Sequence, residues 1–379
     1  MSPFVHLVIT ICLVQFTWSG AAYGGSVERE TSIYIPPFEG PPGLSQSVNT
    51  ILRLQIWQTL RAAVQNEDAD LSFGEGSVKW GPAPLPELTY DSAETVAHHA
   101  RILSQMVLWG TVQEYGDGAV VQAFLSVPWY PKLNDYYFED FRVERSEAWV
   151  VQIPLHDEVI EFRQDIPRRR LAFEPIVLKK EVIEKYSDLD AIVMYDPDHP
   201  EKSIGTVGGI ISAVEQNGDR ALVTSQGKTG LVFLPELSKH RSEVVDFASG
   251  LMRIFRRDWE GAQALFASVA ENNRAPTEVR IDAYLYRAMA SSGRGQSGAD
   301  DIVKARALNP YAVRVYRFAI MDLLAQLGRA IGRGESLTER HEIAAAIEHL
   351  VSDSRHLFLK DDPWLKHLNT SLERIARAQ

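Results

Sequence analysis

The chain has 379 residues, which leaves room for about two or three domains. Its 45% hydrophobic and 23% charged residues are typical of a globular protein, so disorder is not the default expectation. The net charge of -11 argues against nonspecific nucleic-acid binding, which needs Lys and Arg at the phosphates, and against strong binding to an anionic membrane surface.

The first 22 residues have the layout of a secretory signal. The chain is apolar and uncharged from Phe4 to Trp18, and the small residues 19–22 follow, which fits cleavage after Ala22. The run is shorter than the roughly 20 apolar residues of a membrane span. We therefore predict a cleaved signal peptide and a periplasmic protein. An uncleaved anchor in the inner membrane is the alternative, because the head carries no Lys or Arg.

The only cysteine of the chain, Cys12, lies inside this apolar run. The exported chain would therefore have no disulfide, no thiolate metal site and no cysteine nucleophile. An exported protein without disulfides fits a bacterial periplasm better than a eukaryotic secretory pathway.

The segment 33–127 predicts an alternation of strands and helices. A short strand at 33–35 is followed by an amphipathic helix of about five turns from Leu44, because apolar residues recur there at helical spacing. Asp91 and Glu94 have the spacing of a capping box and predict a second helix. A middle strand would fall in the irregular Gly- and Pro-rich stretch between the two helices.

Two strands at 106–114 and 119–127 complete the segment, and Tyr-Gly-Asp-Gly at 115–118 joins them as a hairpin. The first strand contains Val-Leu-Trp-Gly-Thr-Val and the second contains Val-Val-Gln-Ala-Phe-Leu. These motifs, the strand at 33–35 that ends in Pro-Phe and the long helix together resemble the amino-terminal domain family of the translocation protein TolB. The resemblance implies an α/β sandwich in an envelope protein.

Residues 129–182 are aromatic and charged, and they predict a β-rich connector with strands at 148–153 and 158–162. Trp129 and Tyr130 begin its aromatic cluster. This cluster either lines a glycan or peptide site or packs between domains, and the sequence leaves both interpretations open.

Residues 183–237 contain short β-like runs that turn signals such as Asp-Pro-Asp and Asn-Gly-Asp separate. This punctuation predicts a small β-barrel. The motifs Ile-Gly-Thr-Val at 204–207 and Gly-Lys-Thr-Gly-Leu-Val at 227–232 resemble bacterial Src-homology-3-like domains, with Leu231 in place of the tryptophan of that family. The resemblance implies binding of peptides or cell-wall fragments.

Tyr195 and Phe233 are the candidate partner-binding residues of this barrel, because the family's peptide groove is built near such aromatics. Tyr195 ends the first predicted strand and Phe233 lies on the closing one. In the alternative interpretation, both rings fill the barrel's own core.

Everything from residue 242 onward predicts helices, because apolar residues recur at helical spacing. Residues 257–266, with the pattern Arg-Asp-Trp-x-x-Ala-x-x-x-Phe, and residues 305–310 resemble parts of degenerate tetratricopeptide repeats. The resemblance implies a helical array that grips other proteins in its concave groove. Ser336 and Glu339 have the spacing of a capping box for a later helix.

The sequence contains no convincing catalytic, cofactor-binding or metal-binding motif. It has no nucleophile elbow and no phosphate-binding loop, and its histidines are spaced poorly for joint metal ligation. We therefore predict no catalytic residues, no cofactor and no metal.

The predicted fold class is an α+β multidomain protein with an N-terminal α/β sandwich, a small β-barrel and a C-terminal α-helical repeat array. Its predicted function is that of a non-catalytic periplasmic scaffold that binds protein partners, and peptidoglycan as a second class of ligand. A cell-wall-active enzyme, or an accessory subunit of one, is the alternative. The predicted domains are a signal peptide at 1–22, a TolB-like domain at 23–128, the connector at 129–182, the barrel at 183–240 and the helical domain at 241–379.

Overall fold

The computed structural model describes most of the chain after the predicted signal. The predicted signal segment and the predicted helix after Asp91 lie outside the described residues, so both stay predictions. The described residues are 33–36, 38–61, 78–79, 106–127, 149–155, 158–164, 169–187, 192–207, 211–217, 220–225, 227–234, 237, 242–255 and 257–378.

The described fold mixes helices and sheets: all described strands and two helices lie before residue 234, and the described elements after it are helices. The strands are β1 (Ile33–Tyr34), β2 (Val78–Lys79), β3 (Met106–Tyr115), β4 (Gly118–Val127), β5 (Trp149–Pro154), β6 (Val159–Gln164), β7 (Arg169–Ala172), β8 (Ile176–Leu178), β9 (Val193–Tyr195), β10 (Ser203–Thr206), β11 (Ile211–Asn217), β12 (Arg220–Ser225) and β13 (Lys228–Phe233). The helices are α1 (Pro42–Arg61), α2 (Lys180–Lys185), α3 (Glu243–Phe255), α4 (Trp259–Ala270), α5 (Thr277–Gly293), α6 (Ala299–Leu308), α7 (Val313–Gly332), α8 (Leu337–Ser354) and α9 (Pro363–Ala378).

The first sheet has the order β2-β1-β3-β4-β7, and β8 also pairs with β4. β1 is parallel to β2 and β3, whereas β3 and β4 form an antiparallel hairpin. The hairpin predicted at 115–118 is confirmed, because Tyr115 pairs with Gly118. Gly116 has a φ of 60°, a conformation that glycine adopts without strain.

Strands β7 and β8 come from the segment predicted as a connector, and they complete this first sheet. Both pair with β4, one after the other along its length. Between them the amide of Phe173 donates to the carbonyl of Ala123 at 3.2 Å. The side-chain amide of Gln122 donates to the carbonyl of Phe173 at 2.8 Å. The two short strands therefore act as one interrupted edge strand.

The second sheet is open, so the predicted small β-barrel is wrong for the described residues. Its order is β10-β9-β13-β12-β11, which leaves β10 and β11 as unpaired edges. Strand β9 meets β13 at one position only, Tyr195 opposite Leu231. The register of β10 also shifts between Ser203 and Gly205. Strands this short and irregular do not supply the staggered pairing that closes a barrel.

Helix α1 lies at the junction of the first sheet, the second sheet and the helices. It contacts β3, β11 and α3, and it extends over 20 residues as its spacing predicts. Buried apolar residues such as Ile51 alternate around it with buried polar ones such as Asn49. Arg253 on α3 donates to the carbonyl of Thr59 at 3.3 Å. Burial lowers the pKa of Arg53 on this helix to about 9.

Helices α3 to α9 form the C-terminal array, in which neighbouring helices approach closely at small residues. A Cβ atom on Gly250 of α3 would lie 2.8 Å from the ring of Phe266 on α4. A Cβ atom on Gly293 of α5 would lie 2.5 Å from the ring of Trp259 on α4. Each glycine therefore leaves the space that an aromatic ring of the adjacent helix occupies. None of the described helices is long and apolar enough to cross a membrane.

Ion pairs with buried members fix the order of the middle helices. Arg287 on α5 binds Asp301 on α6 through two hydrogen bonds of 2.5 and 2.9 Å, and Glu271 after α4 at 2.8 Å. Arg314 on α7 donates to Asp282 on α5 at 2.7 Å. Loss of one partner from such a pair leaves a buried charge without compensation, which is strongly destabilising.

Strands of the same chain pack against three helices of the array, α3, α5 and α7. Helix α3 contacts β4, α5 contacts β7, and α7 contacts both β5 and β6. All residues of α3 after Glu243 are buried. Strands of the same chain therefore cover part of the surface of α3, α5 and α7.

The β5–β6 hairpin lies between α7 and α9. A Cβ atom on Gly328 of α7 would lie 2.9 Å from the carbonyl oxygen of Gln152, so glycine permits this close approach. On the other edge, the indole of Trp364 donates to the carbonyl of Arg163 at 3.2 Å. His367 Nε2 lies 3.0 Å from the carbonyl oxygen of Glu161. Because an isolated two-stranded hairpin is marginally stable, we infer that these helices hold it in place.

We predict that Gly328→Ala loosens the docking of this hairpin. The added methyl group would press on a backbone carbonyl, and overpacking of this kind costs about 1–3 kcal/mol, which outweighs the helix propensity that alanine gains. Urea unfolding should show a lower free energy of unfolding than for the wild-type chain.

Gly332→Ala on the same helix is the matched control, since no atom lies within 4 Å of its added Cβ. We expect this variant to be unchanged or more stable by up to about 1 kcal/mol. Equal unfolding free energies for the two variants would contradict the close packing of α7 on β5.

Candidate functional site

The second sheet has one buried face and one half-exposed face. Along β12 and β13 buried residues alternate with partly exposed ones, as the pleat of a strand requires. Met194, Val223 and Val232 lie on the buried face. We name the opposite face the aromatic face and define it by Val193, Tyr195, Arg220, Leu222, Thr224, Thr229, Leu231 and Phe233.

Tyr195 and Phe233 contact each other on the aromatic face. Their ring centroids lie 5.5 Å apart with an interplanar angle of 72°, which is the edge-to-face arrangement that aromatic pairs prefer. Leu231, directly opposite Tyr195 in the register, lies beside them. The guanidinium carbon of Arg220 lies 5.3 Å from the centroid of the Phe233 ring. This is a cation–π contact at an exposed position.

The other end of the aromatic face is polar. Thr224 and Thr229 lie opposite each other, and their hydroxyl groups are 2.9 Å apart in a hydrogen bond. Between the two ends, Leu222 pairs with Leu231. The face therefore presents an apolar centre with a cation at one end and hydroxyl groups at the other.

The structure brings together two of the four residues that the sequence singles out. Tyr195 and Phe233 are neighbours, and both are half-buried on the face opposite the buried one. They therefore lie outside the buried face of this sheet, whereas the alternative interpretation places both rings in the core. Trp129 and Tyr130 lie outside the described residues, so their role stays a prediction.

Arg220 is the residue of the aromatic face that sequence reasoning missed. The signal that could have found it is strand alternation, since residues 220, 222 and 224 point to one face once the register of β12 is known.

The described residues contain no group of three or more His, Cys, Asp or Glu side chains that could hold a metal ion. A groove of about 490 Å³ lies where residues 39–41 meet residues 111–114, away from the aromatic face. Its charged lining residues are Glu39 and Glu114. The backbone of Glu39 is already used in pairing with β3.

A cluster of carboxylates lies at the beginning of α3. Burial raises the pKa of Glu243 above its ordinary value, and the nearby charges of Glu174 and Asp246 raise it further. A hydrogen bond that the side chain of Asn272 donates to Glu243 opposes this shift. Ser268 on α4 donates to Asp246 at 2.7 Å. The cluster joins α3, α4 and the segment between β7 and β8.

Comparisons with models of known protein families, with curated proteins and with solved structures each found no match for this chain.

We predict that Glu243→Gln stabilises the protein at neutral pH. A raised pKa means that the folded chain holds a proton that the unfolded chain has released, so Glu243 costs stability once the pH rises through its folded pKa. The advantage of the Gln variant should therefore appear at pH 7 and vanish below about pH 4, where both states of Glu243 are protonated. Thermal melting over this pH range measures the difference.

Glu260→Gln is the control, because Glu260 is an exposed glutamate in the first turn of α4. It removes the same charge from the beginning of a helix, where the helix dipole favours acids. If both variants change stability equally at every pH, the carboxylate cluster has no role in the packing of α3.

Proposed function

We propose that this protein is a non-catalytic scaffold of a bacterial cell envelope that holds a protein partner through its aromatic face. Peptidoglycan is the second class of ligand. The observation that carries the proposal is the position of Tyr195 and Phe233, half-buried and in contact on one side of an open sheet. Aromatic residues offer large contact area at low entropic cost, and they are enriched among the residues that dominate binding energy.

The packing of the helical array supports the choice of this face. The resemblance to tetratricopeptide repeats implies that the helical array binds partners, but α3, α5 and α7 already pack against strands of the same chain. A partner would have to displace these strands before it could bind. The aromatic face needs no such rearrangement, because its side chains are already partly open to solvent.

The proposed location in the envelope rests on the sequence. The apolar run from Phe4 to Trp18 followed by small residues is typical of an export signal. The resemblances to the TolB amino-terminal domain and to bacterial Src-homology-3-like domains point to the same compartment. Fold-level resemblance does not fix function, so the binding experiment below decides.

We predict that Tyr195→Ala loses the partner and keeps the fold. Truncation of an aromatic anchor costs about 1–2 kcal/mol or more of binding free energy, whereas a half-exposed ring contributes less to folding than a core ring. After crosslinking in the native envelope, proteins recovered with wild-type chain should be depleted from the Tyr195→Ala sample. The melting temperature should fall only slightly.

Tyr311→Ala is the matched control, since Tyr311 lies between α6 and α7 with 75% of its surface exposed. This variant should recover the same proteins as the wild-type chain. Equal recovery with all three proteins would contradict the proposed site. Release of muropeptides by the purified wild-type protein would contradict the non-catalytic role and favour a cell-wall enzyme.

A further inference from the structure

Arg220 carries a charge that no carboxylate of the described residues neutralises. Its side chain is exposed, and its contact is the face of the Phe233 ring. Several other arginines of this acidic chain bind carboxylates, among them Arg253, Arg287, Arg314, Arg317 and Arg374. In a chain with a net charge of -11, an arginine at a candidate binding surface without an acidic partner is available for a carboxylate from outside.

The contact with Phe233 prepares Arg220 for this role. The cation–π contact restrains the guanidinium group, so less side-chain entropy is lost when a ligand binds. The guanidinium group still presents N–H donors in a planar fork, and this geometry matches the two oxygens of a carboxylate.

The apolar centre of the aromatic face lies next to Arg220 on strands β12 and β13. Arg220 pairs with Phe233, and two residues further along the strands Leu222 pairs with Leu231. Tyr195 extends the row on the far side of Leu231. A ligand that places a carboxylate on Arg220 therefore places its neighbouring group on the two leucines.

We propose that the aromatic face binds an extended peptide segment of a partner protein in which a carboxylate neighbours an aliphatic side chain. Arg220 binds the carboxylate, and Leu222, Leu231 and Tyr195 contact the aliphatic side chain. This inference rests on the proposed function and adds the chemistry of the partner. The charge complementarity between an acidic peptide and the unpaired Arg220 is what selects this occupant.

Selection of a displayed random-peptide library on the full-length protein tests the proposal. The selected peptides should be enriched in Asp or Glu next to Leu, Ile or Val.

Fluorescence anisotropy then measures the affinity of a selected peptide for the variants. Arg220→Glu should weaken binding by at least about tenfold, because it replaces a charge-assisted pair by like-charge repulsion. An amidated copy of the peptide distinguishes a terminal carboxylate from a side-chain carboxylate.

Lys228→Glu is the matched control for this charge reversal. Lys228 is exposed at the beginning of β13, and strand alternation places it on the other face of the sheet. This substitution changes the net charge by the same amount, and we expect affinity to stay within about twofold, as for an isolated exposed charge. Arg220→Gln gives a second test that adds no negative charge, and it should also weaken binding.

The outcomes separate this inference from the proposed function. In one outcome, the selected peptides show no acidic enrichment and bind more weakly to Tyr195→Ala but not to Arg220→Glu. This result would overturn the proposed carboxylate contact and leave the aromatic face as a binding site. Peptides that neither variant weakens overturn the inference, and the envelope crosslinking of Tyr195→Ala then judges the proposed function separately. Arg220-dependent binding of peptidoglycan fragments instead of peptides also overturns the inference.

Discussion

Helices α3, α5 and α7 of the C-terminal array are apolar where they face the strands, and this apolar surface must be covered. Burial of apolar surface is the main favourable contribution to folding, and an array that left α3, α5 and α7 uncovered on this side would lose it. The chain covers these helices with β4, β7 and the β5–β6 hairpin. The strands gain in the same way, because a two-stranded hairpin needs a partner surface for its stability. Sheet and helices therefore depend on each other.

This constraint decides where a partner can bind. The surfaces of α3, α5 and α7 that pack against strands are not free for a partner. The second sheet has its buried face toward the rest of the protein and its aromatic face half-exposed. The sheet is open, so its two edges and its aromatic face are not wrapped into a closed barrel. The chemistry that the aromatic face offers is an apolar centre beside the guanidinium group of Arg220.

Features set by neighbouring residues could be predicted from the sequence. The hairpin at 115–118 follows from its turn residues, and the structure confirms it. The capping box of Ser336 and Glu339 is confirmed at the beginning of α8, because both of its hydrogen bonds are present. Helix α1 follows from apolar spacing, and its observed length agrees. In each case the deciding interactions lie within one or a few turns of chain.

Features set by distant residues could not be predicted. The pairing of β4 with β7 and β8 joins residues about 50 positions apart, and no local pattern encodes it. Turn signals predict a barrel, but closure depends on pairing between distant strands, and the described edge strands β10 and β11 do not pair with each other. At the site, Tyr195 and Phe233 could be chosen as aromatics, yet the contact of Phe233 with Arg220 depends on the register of β12 and β13. The TolB, Src-homology-3-like and tetratricopeptide relationships stay predictions.

The central claim is that strands and helices form one cooperative unit because the strands cover α3, α5 and α7. Native-state hydrogen exchange of the wild-type chain in increasing denaturant tests it most directly. The account predicts that hydrogen-bonded amides of β5 and β6 open with the same free energy and denaturant dependence as those of α7. A hairpin that opens at much lower free energy, while α7 stays protected, would contradict the account.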